Sequence, residues 1–206
     1  MTDLYLASRS PRRRDLLKQI GVKFEPLMLR LALPRGADID ESRHQGESPA
    51  AYVERIAKEK ASAAARAIAM RSLFGKPIIT ADTVVILDGE TLDKPGNPTR
   101  AAELLRRLSG RTHEVRTCVV VAVGSGNALR LLSQTCVSQV TFTTLTEAQI
   151  AQYCATNEPL DKAGGYAIQG LAAVFVERLE GSYSNVIGLP LFETAQLLRQ
   201  AGVPVL

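Results

Sequence analysis

Tryptophan is absent and aromatics make up only 5% of the chain. Stacking platforms for nucleic-acid bases are therefore scarce, and no basic stripe is interleaved with aromatics. Histidine occurs twice, as His44 and His113, too far apart in sequence to suggest a zinc centre. Any metal should then be a hard cation held by oxygens. The three cysteines, Cys118, Cys136 and Cys154, form no C-x-x-C pair. They read as buried, reduced thiols in a reducing compartment. No apolar run reaches ~18 residues, and the start Met1-Thr2-Asp3-Leu4 lacks the charged and apolar regions of a signal peptide, so a cytoplasmic protein without a membrane partner is expected. Also missing are a P-loop, a dinucleotide-binding fingerprint, internal repeats and any low-complexity linker.

What remains is a chain of 206 residues, 46% hydrophobic and 22% charged, with net charge +4 and pI near 9.1. This suits one domain spanning 1–206, or two lobes, with an anionic partner. A small phosphate compound fits better than nucleic acid. The pattern predicts a strand over Leu4–Ala7, a helix opened by Ser10-Pro11, and a second strand over Phe24–Leu27. A polar, irregular stretch follows from Leu33 to Ser48, then a long helix from Pro49 to about Met70. Pro77–Leu87 is β-branched but interrupted at Thr80-Ala81-Asp82-Thr83, and Asp88-Gly89 marks a hairpin. Asn97 caps a helix ending at Ser109-Gly110. Strands follow near His113–Val123 and Leu129–Leu145, then a helix to Ala155 capped by Thr146 with Gln149. Ala173–Leu179 and Ser182–Ile187 read as a last hairpin before a helix over Leu191–Gln200. Strands and helices alternate with several hairpins, so a mixed α/β sheet with flanking helices is expected.

Arg9, Arg12, Arg13 and Arg14 crowd the start of the first helix, where the helix dipole is already positive. Each unanswered cation there costs about 0.3–1 kcal/mol. A bound polyanion would answer them, using free N–H groups, two serine hydroxyls and the guanidinium groups. A solvated basic helix start fits the same residues. Asp82 sits within an apolar strand and needs a cation, metal or donors to be buried there. Such an acid is often catalytic, although it also suits a bulge or turn. Lys60, Lys94 and the acidic Asp38, Asp40 and Glu41 are weaker signals, each equally at home in solvent. In Asp161–Gly170, glycines permit close approach of backbone to a ligand, while Lys162 offers charge for phosphate and Gln169 an amide.

Together these segments resemble the Maf family of nucleoside triphosphate pyrophosphatases over nearly the whole chain. The motifs are Leu6-Ala7-Ser8 through Arg13, Asp38-Ile39-Asp40-Glu41, Glu59-Lys60-Ala61, Ala81-Asp82-Thr83-Val84-Val85 and Leu92-Asp93-Lys94-Pro95. Asp161 through Gly170, and Gly181-Ser182-Tyr183 with Asn185 through Pro190, complete them. The resemblance implies a Maf/ITPase-like mixed twisted sheet, two lobes around a deep cleft, and a homodimer. It implies hydrolysis of a nucleoside triphosphate to monophosphate and pyrophosphate with a divalent metal (Mg2+, Mn2+ or Co2+). Asp82 would be the general base. Ser8, Arg13, Lys60 and Lys94 would hold phosphates, and Glu41 would assist Asp82 with the metal.

Three places separate the family's branches, and here they hold Arg12, Thr83 and Gln169. This is the pattern of the branch acting on dTTP and UTP, with Gly181-Ser182-Tyr183 agreeing. The branch acting on 7-methyl-GTP has a bulky apolar residue, Gln and Glu. A neutral amide pairs with the donor–acceptor edge of thymine or uracil, whereas glutamate suits a cationic methylated guanine. Modified pyrimidine nucleotides fall within the same reading; the competing readings are a non-catalytic nucleotide- or nucleic-acid-binding regulator, a phosphotransferase, and the same chemistry on 7-methyl-GTP.

Overall fold

A computed structural model describes residues 3–29 and 39–205. Asp38 and the start of the expected polar stretch lie outside the described residues. Seven strands form one mixed sheet in the order β2-β1-β3-β5-β6-β7, with β4 paired to β3. They are β1 (Leu4–Leu6), β2 (Phe24–Pro26), β3 (Ile78–Leu87), β4 (Glu90–Leu92), β5 (Thr112–Val123), β6 (Arg130–Phe142) and β7 (Val176–Glu180). β1 runs parallel to both β2 and β3, while the β3–β4 and β6–β7 pairs are antiparallel. The mixed α/β expectation is borne out. No helix among the described residues is long and apolar enough to cross a membrane.

The helices begin where local chemistry puts them. α1 (Pro11–Gln19), α2 (Pro49–Met70) and α3 (Pro98–Leu108) each start on proline, whose missing N–H costs nothing in the first turn. Ser10, Ser48 and Asn97 cap them by accepting from Arg13, Ala51 and Arg100 backbone N–H groups. α4 (Glu147–Ala155) opens with the predicted Thr146–Gln149 capping box. α6 spans Leu191–Gln200. Asp88 and Gly89 both take positive φ, 54° and 78°, as the tight β3–β4 turn requires.

Three expectations need correction. β3 is continuous through Asp82, so the polar residues do not interrupt it. β6 stops at Phe142, because the Thr143 N–H turns to the Phe175 carbonyl at 2.9 Å. The last hairpin does not form: β7 pairs with β6, and Tyr183–Ile187 is a short helix, α5. Ser182 Oγ accepts from the Asn185 N–H at 3.2 Å, and the Asn185 amide donates to Val115 O at 3.0 Å and Ser138 Oγ at 2.8 Å. Those distant acceptors hold the segment helical against its alternating pattern.

The chain divides into two compact units. One comprises Met1–Asp82, Cys118–Thr135 and Gly188–Leu206, the other Thr83–Thr117 and Cys136–Ile187. Strands β3, β5 and β6 contribute residues to both. Within the first unit Leu4, Leu6, Leu17, Ile56, Ile79, Val119 and Leu198 are buried. Five alanines on the buried side of α2 (57, 61, 63, 64 and 67) leave little side-chain bulk between that helix and its neighbours. The second unit has its own core, built on Leu104, Leu105, Leu108, Phe142, Tyr153 and Phe175. At roughly 1.5–3 kcal/mol per buried large apolar side chain, each core is a substantial stabilising term. Cys118 and Cys154 are buried free thiols, as expected; Cys136 is only half-buried. Burial pushes the Cys118 thiol up to about 11, which keeps it protonated and unreactive at neutral pH.

Candidate active site

In the first unit, two parallel ladder bonds tie β1 to β3: Tyr5 N–H to Pro77 O and Ala7 N–H to Ile79 O. The next acceptor in that row is the Ala81 carbonyl. β1 has ended by then, and the Arg13 Nη1 donates to Ala81 O instead, at 2.7 Å. Its Nε donates to Gly188 O at 2.7 Å, and Nη1 also lies 3.5 Å from Ser8 Oγ. Arg13 therefore continues the row of donors to β3 past the end of β1, next to the position that carries Asp82. Desolvation lowers its pKa, opposed by the Asp82 charge and reinforced by Arg12. An arginine starts so high that it stays cationic.

The neighbouring arginines have different fates. Arg9 donates to Leu29 O at 3.0 Å. Arg12 is half-buried, and its Nε has no hydrogen-bond partner among the described residues. A buried donor without an acceptor is costly, about 1–3 kcal/mol, and marks a place for an acceptor atom from outside. Ser8 Oγ accepts from the Ser10 N–H at 3.2 Å and so shapes the turn into α1.

Thr80 and Asp82 share one face of β3, since strand side chains alternate. Thr80 Oγ1 donates to the Ala57 carbonyl of α2 at 2.8 Å. One turn further along α2, Lys60 Nζ reaches Asp82 Oδ1 at 2.8 Å and Glu41 Oε1 at 3.0 Å. The Lys60 and Asp82 side chains are each 15% exposed, and Glu41 is 46% exposed. Lys60 is thus the cation that Asp82 needed, and it joins two carboxylates otherwise distant in sequence. Their four oxygens are hard donors suited to Mg2+, which typically takes one or two carboxylates plus phosphate oxygens and water. Among the described residues no cluster of three or more metal-binding side chains exists.

Glu41 is delivered by a loop that α2 staples down. The Tyr52 hydroxyl donates to the Glu41 carbonyl at 2.9 Å, and Arg55 Nη2 to the Ser42 carbonyl at 2.8 Å. Arg55 also grips Glu47 with two bonds, 2.6 and 2.8 Å, and reaches Glu59 at 3.3 Å. That forked contact pulls the Glu47 carboxyl down to about 2. The Arg43 and Arg55 guanidinium groups lie 5.1 and 5.6 Å from the Tyr52 ring centre. Sequence reasoning passed over Arg55, although Arg55 and Glu59 stand four apart on a helix and could have signalled it.

The second unit holds the other expected residues. Thr83 Oγ1 meets Thr117 Oγ1 at 2.9 Å, and Thr117 donates to Asn185 O at 3.0 Å. With its proton so used, Thr117 accepts, and Thr83 is the donor. Lys94 is exposed. Lys162 Nζ donates to Glu158 O and Asp161 Oδ1, both at 2.6 Å, and so braces its own loop. Gln169 is exposed on a turn. Two pairs had no signal in the sequence: the partly buried Tyr153–Glu158 and the buried His113–Tyr166, at 2.9 and 2.7 Å.

An ion-paired carboxylate and the clamped Arg13 thus lie where β1 ends against β3, the kind of strand-end position at which open α/β sheets bind ligands. The family model described as Maf-like protein matches residues 3–201, and the chain belongs to that family. Relatives called dTTP/UTP pyrophosphatase include one from Nitrosospira multiformis, 51% identical over 98% of this chain and 96% of its own. One from Aromatoleum aromaticum is 50% identical over 98% and 97%. Another, from Escherichia coli K12, is 48% identical over 96% and 92%. A solved structure of the Staphylococcus aureus Ham1 protein matches 68% of this chain and 71% of its own at 18% identity; its TM-score of 0.43 is too low to assign anything here.

Proposed function

We propose that this protein hydrolyses dTTP and UTP to the monophosphate and pyrophosphate. The observation that carries the chemistry is the Glu41–Lys60–Asp82 chain of contacts, 3.0 and 2.8 Å, next to the clamped Arg13. The names of relatives near 50% identity support the substrate, together with Arg12, Thr83 and Gln169. Asp82 accepts the proton of the attacking water. Lys60, held between two carboxylates, offers its charge to the triphosphate, and Arg12 and Arg13 add theirs. Ser8, Lys94 and Lys162 belong to the same phosphate-holding proposal. Fixed charges of this kind act mainly by stabilising the transition state. A divalent cation held by Glu41 and Asp82 would neutralise phosphate charge and acidify water when bound. Gln169 reads the donor–acceptor edge of the pyrimidine. A cytoplasmic homodimer without a nucleic-acid partner completes the reading.

The test is a panel of nucleoside triphosphates with Mg2+, Mn2+ or Co2+, assayed separately for pyrophosphate and orthophosphate. Pyrophosphate release strongest on dTTP and UTP is expected. Orthophosphate as product, or equal use of all bases, would overturn the reaction or the substrate respectively. Retention of 7-methyl-GTP activity above dTTP would move the chain to the other branch.

A further inference from the structure

Gln169 stands at the third position of a turn closed by the Gly170 N–H to the Ala167 carbonyl at 3.0 Å. An exposed side chain on a glycine-flanked turn has little of its own to hold it in register. The two ends of this turn are nevertheless tied to a single pair, the buried Tyr153 and the half-buried Glu158. The Ala167 N–H donates to the Tyr153 hydroxyl at 3.2 Å, and the Tyr153 hydroxyl donates to Glu158 Oε1 at 2.9 Å. The second oxygen of Glu158 accepts from the Leu171 N–H at 3.2 Å. A side-chain relay from α4 and the turn after it therefore brackets Gln169, two residues before it and two residues after. Just upstream, the buried Tyr166 hydroxyl meets His113 Nε2 at 2.7 Å.

Gly170 supplies an independent sign that the carboxylate is built into this turn. A Cβ at that position would collide with both carboxylate oxygens of Glu158. Absence of a side chain there is what lets Glu158 lie against the backbone and reach Leu171. Burial and the neighbouring carboxylate raise the Tyr153 pKa, so its hydroxyl keeps the proton that makes it a donor to Glu158. The side-chain relay reaches the turn through two backbone N–H groups, those of Ala167 and Leu171.

We infer that Tyr153 and Glu158 are positioning residues for base selection, fixing the turn that presents Gln169 to the pyrimidine. This rests on Gln169 reading the base, as proposed above. Displacement of a contacting group by about 1 Å can cost up to 10²-fold, and a lost donor–acceptor match is the kind of contact that discriminates strongly. Cytosine presents the reverse of the thymine edge, so the ratio of kcat/KM for dTTP to that for dCTP is the readout.

Glu158→Ala is expected to lower that ratio about 10-fold or more, mainly through a higher KM for dTTP. Tyr153→Phe, which keeps the ring and removes one hydroxyl, should lower it about 3-fold. Glu158→Gln, which keeps one acceptor oxygen, should restore part of the ratio. Gln169→Ala serves as the reference. If it loses discrimination while folded Glu158→Ala and Tyr153→Phe keep the wild-type ratio, the positioning role is overturned and base reading stands. If Gln169→Ala itself discriminates as well as wild type, base reading fails and the positioning role falls with it. Should Glu158→Ala not fold, Tyr153→Phe and Glu158→Gln decide the matter by the same ratio.

Discussion

The two units handle polarity in opposite ways. In the first, the decisive contacts join full charges: Lys60 with Asp82 and Glu41, and Arg55 with Glu47. In the second, the turn bearing Gln169 is tied to the Tyr153 hydroxyl and the Glu158 carboxylate, with the Lys162–Asp161 ion pair beside it and a core of aromatic edges in the same unit. Phe142 packs edge-on to His113 and Tyr166, with ring centres 5.1 and 4.8 Å apart. A phosphate chain carries charge and is held by charge, which acts over distance and tolerates small displacement. A pyrimidine edge is neutral, and recognising it depends on hydrogen-bond direction and placement. In the function proposed above, the contrast sets charged contacts against phosphate and the neutral Gln169 amide against the base.

Changing charge without shape in the first unit should give the largest effect. Asp82→Asn is isosteric and removes the proton acceptor; pyrophosphate release is expected to fall about 10³-fold or more while nucleotide binding by calorimetry persists. Turnover within tenfold of wild type would place the base elsewhere.

Forcing charge into the second unit comes next. His113 is 2% exposed, and burial pushes its pKa down to about 4. The unfolded chain takes up that proton near pH 6.5, the folded protein only near 4. Stability is therefore fully present above about 6.5 and is lost as pH falls toward 4, in total roughly 3 kcal/mol. Urea titrations from pH 7 to 4.5 should show the decline, and His113→Gln should flatten it. An equal slope in both proteins would assign the effect to other groups.

A smaller cost is expected from crowding rather than charge. Gly164 has φ +71°, and a Cβ would stand 2.9 Å from Val85 Cγ1. Gly164→Ala should destabilise by about 1–3 kcal/mol, measured as a lower midpoint in thermal melting. The smallest effect belongs to Arg55→Lys, which keeps the charge but cannot make the paired contact to Glu47. We expect a small loss of stability, the least of these variants. Faster amide exchange over residues 40–47 and a few-fold drop in activity, through Glu41, should accompany it. Unchanged exchange there would separate Arg55 from Glu41 placement.

Local rules were legible wherever a residue's partner lies within a few positions. Ser48-Pro49 starts α2, Thr146–Gln149 caps α4, and Asp88-Gly89 turns β3 into β4, each through contacts closed within one turn of chain. Ser182–Ile187 failed because its deciding acceptors, Val115 O and Ser138 Oγ, lie 70 and 47 residues away. Asp82 failed as a strand break for the same reason: Lys60, 22 residues earlier, makes an ionised carboxylate tolerable within β3. The proposed site residues stood out by type and motif, since phosphate chemistry needs arginine, lysine and carboxylate wherever they fall.

The sequence by itself determined most of the elements, their caps and which ionisable residues were candidates for phosphate, because those follow from short-range backbone chemistry and residue type. Only the tertiary structure decided how they are used. It set Arg13 on the Ala81 and Gly188 carbonyls, Lys60 between Asp82 and Glu41, and Tyr153 with Glu158 under Gln169. Those contacts depend on packing between elements far apart in the chain, and no local pattern encodes the directions in which side chains meet.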